Sequence, residues 1–517
     1  MTRRILLIAA ALLASSAALA QNLTLGTKLE LNTLDPHFFA AFPTNSSMAY
    51  FFDKLVEYDD KLAIRPALAT SWKQVDDTTW EIKLRRGVTF HDGTPFTPED
   101  VIFTIERVPN VPNSPNSFAQ FTRGIESVTR IDDGTIRVKT KAPNPQLLSD
   151  LANIFIVSSK AAKGATTADF NAGKAVVGTG PYKLVEWVNG DHLVVERNDK
   201  YWGPRPAWAK VTERVIAKDP ARLASLLAGQ VDAIDAVPIP DLERLRNEKR
   251  FGLFRGPAAL VHYVALDSAR DESPFVTAKD GKPLGRNPLK DPRVRKALSL
   301  AIDRVAICRR VMEGSCVPAG QMLPTIYRTA SKSLKPDPFD AARAKALLKE
   351  AGWADGFRIV LHSTGDRYPN DSSVAQAIAQ MWTRIGLKAE VEALPGAVFF
   401  TRASKQEFSA FAAQYGAEDS INSLRALVAT ADPARGFGTA NRTRYSNPVV
   451  DNLLTEALVT MDDELRQAKL ERALDFAMAD QPLIPVFHPS FDFAARKGLV
   501  VVPQAQRRFN GLMVKPQ

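Results

Sequence analysis

Cysteine is almost absent, with two in 517 residues. That excludes a scaffold built on disulfides and argues against cysteine-rich zinc modules. Histidine is scarce as well. Its six positions (37, 91, 192, 262, 362 and 488) are scattered and form no HExxH or His-x-His pair, so a zinc site has little support. The chain has no GxSxG elbow, no SxxK with a downstream KTG and no Walker A loop, which removes the common hydrolase and nucleotide-binding signatures. No tract is dominated by Gly, Ser, Pro or Gln, although 34 prolines are spread along the chain. Disordered, collagen-like and repeat architectures are therefore disfavoured. Runs of five or six Lys or Arg are missing too, so the net charge of +10 reads as a solvated basic surface and not a nucleic-acid face. Beyond residue 20 no apolar run approaches the roughly 20 residues that span a bilayer.

What remains is a large folded protein, 45% apolar and 24% charged, long enough for two to four domains. Its first twenty residues read as an export signal. Arg3 and Arg4 form a positive start, Ile5 to Ala14 an apolar stretch, and Ala18-Leu19-Ala20 a cleavage site. The residue directly after that site is Gln21, not Cys. The expected product begins near Gln21 and is free in an exported compartment without a lipid anchor.

Alternating α and β signals follow. Trp80, Ile82 and Leu84 alternate with Glu81, Lys83 and Arg85, the pattern of a half-buried strand. Ile136 and Val138 repeat it after an Asp133-Gly134 turn. Gly178-Thr179-Gly180 lacks the third glycine of a dinucleotide loop and reads as a tight turn into a strand over 182–187. His91-Asp92-Gly93 reads as a turn rather than an acid/base pair. Helical patterns dominate the second half. Asp291-Pro292 opens a helix with the apolar face Val294, Ala297, Leu298, Ala301 and Val305, stopped by Gly314. Asp337-Pro338 opens a second, closed by Gly352; Asp371 opens a third, closed by Gly386; Asn447-Pro448 opens a fourth. Cys308 and Cys316 lie eight residues apart, and in an oxidising compartment they are either a local disulfide or two buried thiols. These signals argue for an α/β or α+β protein of several lobes.

At this point the residues resemble a known family. Ala69-Thr70-Ser71-Trp72, followed by the stretch from Trp80 to Val101 with its core Arg86-Gly87-Val88-Thr89-Phe90-His91-Asp92-Gly93, is similar to the signature of family 5 extracellular solute-binding proteins. These are the dipeptide/oligopeptide-type receptors of ABC importers. Val177 to Tyr182 with Arg197 to Gly203 resembles a second family block, and Asp291 to Arg304 a third. The likeness continues through 341–352 and 447–485, and so covers nearly the whole mature chain.

The resemblance implies a two-lobed α/β periplasmic binding protein fold of type II, cluster C-like, with an extra β-rich subdomain inserted in lobe I. Mapped onto this chain, 1–20 is the signal peptide; 21–58, 176–268 and 486–517 form lobe I; 59–175 is the insertion; and 269–485 forms lobe II. The missing catalytic and metal motifs point to no catalysis and to no cofactor or metal. On the resemblance, the ligand is a small molecule or peptide, the partner is the importer's membrane permease, and the receptor is a monomer. Capture would work by hinge closure, which needs about 5.5 kcal/mol of differential binding to move a 1:99 equilibrium to 99:1.

In dipeptide-binding members an Arg holds the ligand carboxylate and an Asp its ammonium. The Arg motif aligns with Arg402, whose other reading is an exposed helix arginine. Where such members carry Asp-Pro, this chain reads Gln414-Tyr415-Gly416-Ala417-Glu418-Asp419-Ser420-Ile421. Asp419 or Glu418 takes over the ammonium role, or the ligand is not a free peptide. Tyr415 packs against the ligand or is a core aromatic, and Asn45 lies where the family's cleft-lining N-terminal segment runs. Alternatives are a receptor for an opine, sugar, nickel or haem and, from another class, a secreted hydrolase.

Overall fold

The computed structural model describes residues 22–417, 419–505 and 509–517. The leader residues and Gln21 therefore lie outside the described residues, as does Glu418. Two compact units account for the fold. One comprises the described residues up to Gly256 together with Phe491–Gln517, and the other is Pro257–Ser490. No helix among the described residues is long and apolar enough to cross a membrane.

The first unit is built on β1 (Asn22–Thr27), which places Leu23 and Leu25 in the core. A separate four-stranded sheet follows, made of β2 (Ala69–Asp76), β3 (Thr79–Leu84), β4 (Ile125–Asp132) and β5 (Thr135–Thr140) in the order β2-β3-β5-β4. The alternation in β3 sends Trp80, Ile82 and Leu84 inward. Its outward Glu81 sits opposite Arg137 of β5 and accepts a hydrogen bond from it at 2.7 Å. β6 (Tyr182–Val188) and β7 (His192–Arg197) form a hairpin against β8 (Lys210–Val215), which runs parallel to β1 from Asn22↔Lys210 to Thr27↔Val215. On the other side of β1 lies the short parallel strand β9 (Ala233–Ile234). The core packs Tyr50, Phe51, Phe170, Tyr182 and Trp208, and each large apolar side chain so buried contributes about 1.5–3 kcal/mol. Trp208 is tolerated there because its indole N–H donates to the Val514 carbonyl at 2.7 Å.

Gly178 and Gly180 have a packing reason. A Cβ at either position would run into the backbone of Phe51, so only glycine lets the two chain segments touch. His91 clamps the same turn. Its Nε2 lies 3.0 Å from the Gly180 carbonyl, and burial lowers its pKa to about 4, so it is a neutral structural imidazole at pH 7.

The second unit centres on β10 (Val261–Leu266), antiparallel to a strand over Ala410–Tyr415 from Val261↔Tyr415 to Leu266↔Ala410. Around it run β11 (Arg358–Thr364) and, parallel to β11, β12 (Lys388–Leu394). Ala410–Tyr415 is β13, and β14 (Leu483–Arg496) pairs with β10 on its other edge, His262 opposite Phe487.

Two helix expectations are corrected. The helix from Asp291 and Pro292 ends at Leu300 (α1, Pro292–Leu300) and does not run to Gly314. Asp303 restarts the chain by accepting the Ala306 N–H, and after this break Val305 is 65% exposed instead of facing the core. α2 (Ala341–Glu350) is capped by Asp340, not opened by Asp337. Asp337 is engaged elsewhere, accepting from Lys296 Nζ and Ser299 Oγ, both at 2.6 Å. In α3 (Asp371–Arg384) and in the helix that Asn447 caps over Pro448–Ala457 the observed starts match the local signals. Cys308 and Cys316 are disulfide-bonded, with Cα atoms 5.3 Å apart.

Candidate functional site

The second unit carries a polar aromatic face at the ends of β10 and β13. Opposed residues of an antiparallel pair share one side of the sheet. Val261 opposes Tyr415, and Tyr263 lies two residues along β10, so Tyr263 and Tyr415 are diagonal neighbours on one face. Tyr368, from the turn before α3, donates its hydroxyl to the Gln414 carbonyl at 3.3 Å. Burial raises the pKa of all three phenols, and the positive charge of Arg442 pulls each back. Arg425 acts on Tyr415 in the same sense. Among the described residues Arg442 forms no ion pair, and its buried Nε has no hydrogen-bond partner. Its guanidinium lies 5.5 Å from the Phe400 ring centroid.

Gly416 follows directly on this face. A Cβ there would collide with the Ala259 carbonyl, and Tyr327 pins the next residue by donating its hydroxyl to the Ala417 carbonyl. The tight approach of the two segments fixes where Tyr415 ends.

The structure distributes the candidates read from the sequence. Arg402 sits in α4 (Gly396–Ser404), half-buried and held by two carboxylates. Its Nη1 donates to Glu392 at 2.9 Å and its Nε to Glu407 at 3.0 Å. The guanidinium also lies 4.8 Å from the Phe408 ring centroid. Asp419 is the N-cap of α5 (Ser420–Leu427) and accepts the Ile421 N–H at 2.8 Å. Glu418 lies outside the described residues. Tyr415 is half-buried in the face just described. Asn45, in the first unit within Phe42–Met48, has a buried Oδ1 without a hydrogen-bond partner among the described residues. Among the described residues no group of three His, Cys, Asp or Glu could hold a metal ion.

Tyr263, Tyr368 and Arg442 were not legible as site residues. They come from three distant stretches and carry no local motif. The only sequence signal near them was the aromatic-glycine step Tyr415-Gly416.

As an N-cap, Asp419 has a measurable role. Asp419→Ala should lower the stability of the second unit by about 1 kcal/mol, seen as a lower urea midpoint with an unchanged denaturant slope.

Known proteins share this architecture. Residues 63–433 match the family described as bacterial extracellular solute-binding proteins, family 5 Middle. The chain is 29% identical over 499 residues to the glutathione-binding protein GsiB of Shigella flexneri serotype 5b (strain 8401), covering 93% of this chain and 91% of that protein. Among solved structures, HbpA2 from Haemophilus parasuis superposes with a TM-score of 0.82 at 21% identity, covering 96% of this chain and all of that one. The periplasmic binding protein DppA from Helicobacter pylori, in complex with the peptide STSA, gives a TM-score of 0.72 at 23% identity over 96% and 98% of the two chains. The structural likenesses show a shared two-lobed periplasmic binding fold.

Proposed function

The chain belongs to the family 5 bacterial extracellular solute-binding proteins, and from that premise we propose that it captures a di- or oligopeptide or peptide-like solute by hinge closure and delivers it to the membrane permease of an ABC importer. The family consists of receptors and not of enzymes, and its members are periplasmic. We infer further that residues 1–20 direct export, that the mature receptor is a monomer without a lipid anchor, and that it does not bind nucleic acid. The separate four-stranded sheet within 59–175 supports reading that stretch as an insertion into the first lobe.

One observation carries the ligand class. Among the described residues Arg442 presents a guanidinium without a carboxylate partner beside three phenols, in a half-buried setting. A planar guanidinium donates two parallel hydrogen bonds to a carboxylate, and such charge-assisted bonds are strong where water is scarce. Tyr263, Tyr368 and Tyr415 supply further hydroxyls and aromatic surface for a peptide backbone or side chain. The relative named for glutathione and the neighbour that holds a peptide support the same class. Arg402 remains the arginine that the sequence motif selects, but its two carboxylate partners make Arg442 the stronger choice.

Asp419 favours a second reading. The chain lacks the Asp-Pro of dipeptide-binding members, and Asp419 beside that position caps a helix through Oδ1, which suits a carboxylate solute that is not a free peptide. Mass spectrometry of the solute released on denaturing the periplasmic protein tests both. A recovered peptide establishes the first reading, a non-peptide acid the second, and a solute without any carboxylate overturns the role given to Arg442.

A further inference from the structure

The first unit contains a cavity that the arginine and tyrosine face of the second unit does not explain. It is a half-open crevice with a volume of about 50 Å³. It lies at the carboxyl ends of the parallel strands β1, β8 and β9, where Thr27 and Asp235 line it. That edge of a parallel sheet is where α/β proteins bind ligands, because the loops diverge there and leave a crevice. Leu29, Trp187 and Phe509 provide apolar walls, and Glu213 lies among them.

Glu213 is only 6% exposed. The Tyr50 hydroxyl donates to its Oε1 at 2.6 Å and the Ser47 hydroxyl to its Oε2 at 3.1 Å. A carboxylate has about four acceptor sites, and among the described residues no Lys, Arg or His forms an ion pair with Glu213. Asp235 adds a second negative charge, acting on Glu213 and helping to raise its pKa, behind the larger effect of burial. Asp235 also accepts the Lys28 N–H at 2.8 Å and lies 3.7 Å from Arg222 Nε.

The cavity therefore pairs the buried Glu213 and the half-buried Asp235, which Arg222 already faces, with apolar and aromatic walls. A bare metal ion would need more donors than the two carboxylates supply. An ammonium on an apolar body fits both parts, with its charge between the carboxylates and its body on Leu29 and the Trp187 ring, which attracts cations.

We propose that this cavity is a subsite for a primary ammonium group carried on an apolar body, with Glu213 and Asp235 as its counter-charges. The proposal deepens the solute-receptor reading and rests on it only in assigning the amine to the solute.

Isothermal titration of the full chain at pH 8 with phenethylamine, and with N-acetylphenethylamine as its neutral counterpart, tests the idea. Phenethylamine should bind saturably and the acetylated compound at least tenfold more weakly. Glu213→Gln keeps the shape and an acceptor for Tyr50, and should weaken phenethylamine at least tenfold without lowering the unfolding midpoint. Equal binding of the two compounds, equal binding by the variant, or no saturable binding to the wild-type chain would each overturn the proposal. If the variant fails to fold, the comparison of the two compounds on the wild-type chain still decides. Phenethylamine has no carboxylate, so failure here leaves the role of Arg442 standing, and the reverse also holds.

Discussion

Arg442→Ala is expected to weaken a carboxylate solute by about 30- to 150-fold, or roughly 2–3 kcal/mol. The expectation follows from what Arg442 lacks. Among the described residues its buried Nε has no hydrogen-bond partner, so a bound carboxylate would satisfy that donor, and truncation would remove the gain. Arg402→Ala should behave differently. Its guanidinium already serves Glu392 and Glu407, so its loss leaves two carboxylates without their partner and lowers stability more than affinity. Isothermal titration of both variants with glutathione, or with the solute recovered from the periplasm, separates the two arginines. If Arg402→Ala loses the affinity and Arg442→Ala keeps it, the carboxylate belongs where the sequence motif placed it.

Lowering the pH from 7 to 5 should destabilise the second unit by about 4 kcal/mol and leave the first nearly unchanged. In the second unit, burial depresses His262 to about 3 and His488 to about 4. Both have an ordinary value of 6.5 when unfolded. As the pH falls through 6.5 the unfolded chain takes up protons that the folded one refuses, so each imidazole costs about 2 kcal/mol by pH 5. His362 is depressed too, again chiefly by burial. The first unit has the same liability in His91, held near 4, and in His37, lowered by burial and by Arg107. It also has an opposing pair. Burial raises Asp53 to about 6 and Glu213 to about 7. A raised carboxyl destabilises the fold at pH 7 and recovers stability as pH falls through its folded value, here by about 3–4 kcal/mol together.

Thermal unfolding at the two pH values, with limited proteolysis mapped by mass spectrometry, reads this out. Cuts within 257–490 should appear first at pH 5. Preferential cutting of the first unit would contradict the assignment. His262→Phe keeps the stack on Phe487, which is 4.6 Å between centroids, and removes two ring nitrogens without partners. It should recover about half of the loss.

Local signals carried much of the fold. The alternation of Trp80, Ile82 and Leu84 was enough for a strand, because a period of two can bury only one face. Asn447 before Pro448 was enough for a helix start, because its side chain satisfies backbone N–H groups that the first turn leaves open. The same logic misplaced one helix start, since Asp337 and Asp340 both have capping chemistry and only the pull of Lys296 and Ser299 on Asp337 decides between them. It also missed the break before Asp303, whose cap is local but whose competition with an unbroken helix is settled by packing.

The sequence by itself determined the family, the α/β character, the strands around Trp80, Ile136 and Tyr182 and the helix starts at Asp371 and Asn447, because each is written in neighbouring residues and their periodicity. Tertiary structure alone decided which charged groups are satisfied. Arg402 and Arg442 look alike in the sequence. Only the folded chain brings Glu392 and Glu407 to the first and the phenols of Tyr263, Tyr368 and Tyr415 to the second. Charge compensation depends on distances between residues far apart in the chain, and no local pattern encodes them.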